Sequence, residues 1–386
     1  MRLPVLVTLL LLGCDPPRCP HARLTPGATT STMSWLDANR PRVEVGLAGG
    51  TRLALLDTGF PHSSMDSNNL FFVESLQPVA LGAATVGPLH WETVLQLDPQ
   101  FELIVGADAL SYAPLVFDAR AAQTRVELDF TPGAGVAPLS LWSSGLCRGD
   151  RKEDGPEGPD LLLVDADLDG QPLVLAVDTG ADLTFVRQGV IQALSTRPTL
   201  SGLPVHTGFA GDFTATVTRA RALSVGGQAS LAAPFFTAPG LDVGLDNLLQ
   251  QFRDPPARLD GVLGRSFLRE FEVSLALGED AVTNRALGLT RFDTQTHWSR
   301  DFVGVGIATT LSDNPLGLRV NALLSISPAR DAGLQVGDVI FTVHGDVSFT
   351  VPQPWGRPGE LVHLQYWRQG RAFDVDVPIA DLLPDP

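Results

Sequence analysis

Asp-Thr-Gly occurs twice in the chain, as Asp57-Thr58-Gly59 and as Asp178-Thr179-Gly180, each after an apolar run, Leu53-Ala54-Leu55-Leu56 and Val174-Leu175-Ala176-Val177. An Asp at the end of a buried strand, with a Gly that lets the backbone fold closely around it, is an expensive arrangement unless something uses it. Two such carboxylates brought together share one proton, which sets an acid beside a base. One triplet alone is also ordinary turn chemistry, so the surrounding pattern has to decide.

That pattern repeats. Placing Asp57 on Asp178 aligns Val43–Arg52 with Val164–Leu173, and both read as strand, turn, strand, then triplet. Downstream of each triplet, Leu103-Ile104-Val105-Gly106 and Gly261-Val262-Leu263-Gly264 are apolar strands ending in Gly, each followed by a short helical turn. The stretches Leu115–Phe130 and Phe271–Phe292 then show the period-two pattern of a hairpin. The chain therefore carries an internal duplication of a β-rich unit.

On these residues the sequence resembles the pepsin and retropepsin group of aspartic peptidases over roughly residues 40 to 295. The resemblance implies that each lobe contributes one triplet and that Asp57 and Asp178 form a catalytic dyad around a water. One carboxylate would deprotonate the water while the other, protonated, polarises the scissile carbonyl. It also implies that Thr58 and Thr179 cross-brace the two loops, and that Gly59 and Gly180 aim backbone amides at the carboxylates. The expected flap over an extended substrate is the second-half turn Gly208-Phe209-Ala210-Gly211, with Phe209 and Phe213 covering the peptide; an ordinary hairpin reads the same way.

The first half departs from this pattern. Phe60 and Pro61 follow its triplet where the family has a small residue, whereas the second half keeps Ala181. The interval from Gly59 to Ala80-Leu81-Gly82 is also shorter than that from Gly180 to the matching Ala222-Leu223-Ser224, which leaves little chain for a first-lobe flap. Phe60 stands where it could obstruct the approach to Asp57.

Composition sets the class. The chain has 386 residues, 44% of them hydrophobic, enough for two or three cores, and its 38 Gly and 30 Pro favour turns over long helices. A formal charge of −16 argues against nucleic acid or an anionic membrane surface as partner. No His/Cys cluster with metal-ligand spacing occurs, and no cofactor or metal is implied.

Arg2 precedes an apolar run, Leu3 to Leu12, too short to span a bilayer but suited to a signal segment. Its end, Leu11-Leu12-Gly13-Cys14, resembles a bacterial lipoprotein signal, which implies a lipidated Cys14 as the mature N-terminus. The alternative is a plain secretory signal with an incidental Cys. Cys19 and Cys147 then remain, either as a disulfide or as two free thiols.

The last part differs from the duplicated unit. Ser327–Ile340, with Gly333-Leu334-Gln335-Val336-Gly337-Asp338, resembles a PDZ domain of the bacterial periplasmic type. The resemblance places the carboxylate-binding loop at Val303-Gly304-Val305-Gly306 and a bordering helix near Val351 to Arg357, where three prolines oppose a regular helix.

The expected fold is mainly β: a two-lobed acid-protease β-barrel fold made by internal duplication, followed by a PDZ-like α+β/β-barrel domain. The expected boundaries are a signal peptide (1–13), a tether (14–38), a first lobe (39–131), an interlobe linker (132–159), a second lobe (160–297) and the PDZ domain (298–383). The resulting reading is a monomeric aspartic endopeptidase, lipid-anchored in the cell envelope and facing the periplasm or exterior. Its partners would be an extended peptide or protein substrate, a C-terminal peptide at the PDZ domain, and the membrane through the lipid anchor alone. The alternative is an inactive peptidase-fold lipoprotein that binds peptides or acts as an adaptor. A third arrangement, in which two chains pair their second lobes, is disfavoured because the duplication already supplies the partner within one chain.

Overall fold

The two apolar runs that end in Asp-Thr-Gly form matching inner strands of two β-sheets. A computed structural model describes residues 23–25, 30–36, 41–60, 63–66, 76–90, 92–94, 102–110, 114–127, 135–142, 161–192, 198–207, 211–250, 256–276, 286–292, 303–348 and 355–383. In the first half, Arg42–Leu47 turns back into Gly50–Leu56, which runs parallel to Leu103–Val105. On its other side Leu103–Val105 meets Ser64–Asp66 antiparallel. The second half repeats this with Leu161–Leu168, Gln171–Val177, Gly261–Leu263 and Phe185–Val186. Both Gly-ended strands lead directly into a short helix, Ala107–Leu110 and Arg265–Leu268. The fold is mainly β, as the alternation of apolar and polar residues requires.

Between the halves lies a sheet built from both. Its strands run Gly135–Trp142, Ala286–Arg291, Phe271–Ala276, Leu115–Asp118, Gln123–Glu127, Thr30–Ser34. At the centre Val116 pairs with Ser274. The offset that carries Val105 onto Leu263 also carries Val116 onto Ser274, so the approximate twofold axis of the duplication passes through this pair. The main hydrophobic core spans both halves around this sheet.

Two expected boundaries are corrected. Residues 30–36, assigned to a tether, are part of the core. Thr30–Ser34 pairs with Gln123–Glu127, Met33 and Trp35 are buried, and the Trp35 indole donates to Thr124 Oγ1 at 2.8 Å. Arg23–Thr25 adds a further strand to Ala84–His90. Likewise the stretch 132–159 is not linker throughout: Gly135–Trp142 pairs with Ala286–Arg291 at one end and Leu161–Leu168 at the other. Its alternation of buried and exposed residues was obscured by neighbouring Gly and Pro.

The match between the second hairpins also shifts. Gly46 lies opposite Ala80, and the equivalent Asp167 lies opposite Ser224. Ala80 therefore corresponds to Ser224, two residues beyond the apolar-pattern match with Ala222. The turn glycines Gly82 and Gly226, with φ of +62° and +56°, then superpose in sequence.

Two insertions distinguish the second half: the hairpin Thr199–Thr207 with Gly211–Arg219, and the helix Pro239–Gln250. Among the described residues the first half has no counterpart of either.

The C-terminal part forms a sheet in the order Ile307–Asp313, Leu316–Leu323, Val339–Val343, Leu361–Arg368, Arg371–Pro378, around its own core. The Gly333–Asp338 turn uses two left-handed glycines, Gly333 and Gly337, both with φ of +96°. Buried Asp338 holds it in place, accepting two bonds from the Arg368 guanidinium at 2.7 and 2.6 Å. Residues 355–360 carry no helix, and 349–354 lie outside the described residues.

This part does not stand apart from the second half. Leu324, Leu382 and Leu383 are buried in the same cluster as Leu200, Val217 and Phe236. Ser325 N–H donates to Ser201 O at 2.8 Å, and the fully buried Arg219 donates to Leu383 O at 2.8 Å. No helix of the described residues is long and apolar enough to cross a membrane.

Candidate functional site

The strand ladders end on the two Asp residues. Asp57 N–H donates to Val105 O at 3.0 Å and Asp178 N–H to Leu263 O at 3.1 Å, so each Asp leaves its sheet at the same rung. Beyond that rung the two triplets face one another. Thr58 Oγ1 donates to Val177 O at 2.8 Å and accepts the Thr179 N–H at 3.1 Å. Thr179 Oγ1 donates to Leu56 O at 2.9 Å and accepts the Thr58 N–H at 3.1 Å. Both threonines are buried, so all four bonds form away from water, where an unmade partner would be costly.

The glycines bring the carboxylates together. Gly59 packs against the Asp178 carboxylate and Gly180 against that of Asp57, each with no room for a Cβ. The two carboxyls are thereby brought near enough to act on one another. Asp57 Oδ1 accepts the Gly59 N–H at 2.9 Å; Asp178 Oδ1 accepts those of Gly180 at 2.9 Å and Ala181 at 2.7 Å. Burial pushes the Asp178 carboxyl well above the usual carboxylate range, and the neighbouring Asp57 charge pushes in the same direction. The Ala181 and Gly180 amides oppose this by favouring the charged form. Such a pair holds a proton that belongs to both carboxyls.

A further layer escaped the sequence reading. Ser63 Oγ accepts the Gly106 N–H at 3.1 Å, and Thr184 Oγ1 accepts the Gly264 N–H at 3.2 Å. Both hydroxyls lie six positions after their Asp, in a register that the aligned halves could have revealed.

The Phe60 ring belongs to a small apolar cluster on the first-half sheet, where it packs with Leu53 against Leu55 and Ile104. Its carbonyl accepts the Ala107 N–H at 2.8 Å, as the Ala181 carbonyl accepts the Arg265 N–H at 2.8 Å. The loop geometry is thus kept on both sides despite the change of residue.

The remaining sequence candidates lie elsewhere. Gly208, Phe209 and Ala210 fall outside the described residues; Gly211 pairs with Thr207. Phe213, expected to cover substrate, is half-buried and packs edge-on against Phe185 with ring centroids 6.1 Å apart. Val303 and Gly304 pair with Asp381 and Ala380, while the carbonyls of Val305 and Gly306 accept the N–H groups of Ala329 and Leu324, both at 3.0 Å. Cys14, Cys19 and Cys147 lie outside the described residues.

No family model matches the chain. A curated protein, a probable periplasmic serine endoprotease DegP-like from Ectopseudomonas mendocina (strain ymp), is 31% identical over 159 residues, covering 39% of this chain and 31% of its own length. The chain thus spans about a third of that relative. A solved structure, the aspartic proteinase from Irpex lacteus, is similar over 72% of this chain and 99% of its own, with 12% identity and a TM-score of 0.39. The duplication described above is carried by strand pairing within this chain and does not depend on either likeness.

Proposed function

We propose that the chain is an aspartic endopeptidase of the cell envelope, with Asp57 and Asp178 as its catalytic pair. The observation that carries this reading is the seating of each carboxyl against the other half's glycine, which brings the pair together. Two adjacent carboxylates repel, and a cleft that only binds has no need of them. A water between them loses a proton to the ionised carboxylate and attacks the scissile carbonyl carbon, while the protonated carboxyl donates to the carbonyl oxygen. The tetrahedral adduct then collapses, the C–N bond breaks, and the departing amine takes up a proton from the pair.

Placement in the envelope is supported by the signal-like N-terminus and by the periplasmic assignment in the name of the partial relative. Lipidation at Cys14 and peptide binding by a PDZ-like C-terminal module belong to the same proposal. A competing reading, a peptide-binding protein without turnover, draws its force from Phe60, which follows the first triplet where the second half has Ala181.

The test is cleavage of an unfolded protein substrate between acid and neutral pH by the full chain, Asp57→Asn and Asp178→Asn. Acid-favoured cleavage, lost to a similar extent in both variants and blocked by a hydroxyl-bearing transition-state mimic, supports the peptidase. Peptide binding without cleavage at any pH, unchanged in Asp57→Asn, assigns the chain to the binders.

A further inference from the structure

Each strand that carries an Asp is held at its far end by a second acidic residue. In the second half, Asp260 N–H donates to Val174 O at 2.8 Å while Asp260 Oδ2 accepts the Val174 N–H at 2.8 Å. In the first half, Glu102 N–H donates to Leu53 O at 2.9 Å and Glu102 Oε2 accepts the Leu53 N–H at 3.3 Å. Leu53 and Val174 lie four residues before Asp57 and Asp178, and Glu102 and Asp260 immediately precede the two apolar Gly-ended strands. The two acids are equivalent under the duplication.

In a continued parallel ladder, the N–H of Leu53 or Val174 would find a main-chain carbonyl on the neighbouring strand. Here the neighbouring strands begin only at Leu103 and Gly261, and the carboxylate of the residue before takes that place. It satisfies the last N–H and marks the rung at which pairing begins. From that rung the ladder runs to the Asp N–H, bonded to Val105 O or Leu263 O. A slip of one residue at the start would turn every side chain of the strand, the Asp included, to the other face.

We propose that Glu102 and Asp260 are positioning residues for Asp57 and Asp178, each capping the ladder that ends on its Asp and so fixing the register at which the two carboxyls meet. The two caps differ in strength. Asp260 is buried, 6% exposed, and is flanked by Arg258, whose Nε pairs with the same Oδ2. Glu102 makes the longer bond and its side chain is 44% exposed, with Arg52 Nε 4.0 Å away. The second-half cap is therefore the stronger.

Only the kinetic arm of the test rests on the peptidase reading. Amide hydrogen exchange at Val174 and Asp178 is measured in the full chain and in Asp260→Ala and Asp260→Asn. With the acceptor gone, both amides should exchange about ten- to a hundredfold faster in the Ala variant, while amides of the C-terminal sheet keep their rates. Asn, whose side-chain oxygen still accepts, should restore protection. In the kinetic arm, kcat of Asp260→Ala should fall about tenfold with KM unchanged and the pH profile displaced, and Asn should recover most of the loss.

Faster exchange confined to Val174, with Asp178 unaffected, would overturn the proposal, as would an Asn variant no better than Ala. If Asp260→Ala does not fold, Glu102→Ala, with its half-exposed carboxylate, carries the same measurement at Leu53 and Asp57. A wild-type chain that cleaves nothing removes the peptidase reading and leaves the exchange arm to decide on the caps.

Discussion

Thr58 and Thr179 are laced to one another: each hydroxyl receives the other's N–H and donates to the carbonyl that precedes the other's Asp. Replacing either by Ala orphans a buried N–H and a buried carbonyl, and should destabilise the chain by about 1–3 kcal/mol. Because the four bonds form one network, the double variant should lose less than the sum of the single losses. Denaturant unfolding of the two single variants and the double measures this. Full additivity would show that the bonds act independently.

Gly59 and Gly180 should tolerate no side chain. A methyl at Gly59 meets the Asp178 carboxylate, and one at Gly180 meets that of Asp57, so Gly59→Ala and Gly180→Ala should separate the carboxyls and abolish cleavage. Gly189 faces open space in the short helix Gln188–Gln192 and serves as the control. There an Ala should leave activity intact and raise stability by up to about 1 kcal/mol.

The raised Asp178 carboxyl fixes the sign of a pH effect. Its folded pKa lies above the unfolded one, so its contribution to stability is fully present below the unfolded value, about 4, and is lost as pH rises through the folded value. Asp178→Asn cannot ionise. Denaturant unfolding should find this variant more stable than wild type near neutral pH, with the difference closing in acid. An equal gap at both pH values would contradict the shift.

Truncation after residue 297 should weaken the second half. It removes Leu324, Leu382 and Leu383 from a shared cluster, at about 1.5–3 kcal/mol for each leucine, and takes the Leu383 carbonyl from the buried Arg219. Calorimetry of the truncated and full chains should show a lowered transition for the duplicated unit. An unchanged transition would make the C-terminal part an independent body.

At the other end, removing residues 1–36 should destabilise the fold, because it takes away the strand Thr30–Ser34 and the buried Met33 and Trp35. Trp35→Ala alone should cost about 3–5 kcal/mol, since the indole is buried in the main core and bonded to Thr124. Unfolding midpoints of the three proteins decide the point.

The duplication was legible because strand, turn and Asp-Thr-Gly recur with the same periodicity, and because Leu103–Gly106 and Gly261–Gly264 repeat the apolar strand. Trp35 and Gly135–Trp142 were not legible as core: flanking Pro, Ser, Thr and Gly lend both segments the composition of loops, and only pairing with distant strands orders them. The Ala80 match failed by two residues because Ala-Leu recurs at Ala222-Leu223, and in a period-two pattern a slip of two leaves the apolar alternation unchanged. At the site, the residue types were visible in the two triplets. Ser63, Thr184, Glu102 and Asp260 carry no motif of their own, and their meaning comes from a register that two halves share in space. The burial of Leu382 and Leu383 depends on a contact between remote parts of the chain, for which no local pattern exists.

The hairpin of the second half is gripped at the root of both legs, by Ser325 at Ser201 and by the Leu383 carbonyl at Arg219. Mechanically it is a beam fixed at its root and propped along its length. Beyond the clamp its register shifts between Ser201 and Leu203, at Gly202, which has a φ of +95°, and past that elbow Leu203 and Val205 pack on the second-half cluster while Phe213 rests edge-on against Phe185. The root clamp comes from the C-terminal part, so loosening there reaches the beam through Ser325 and Leu383.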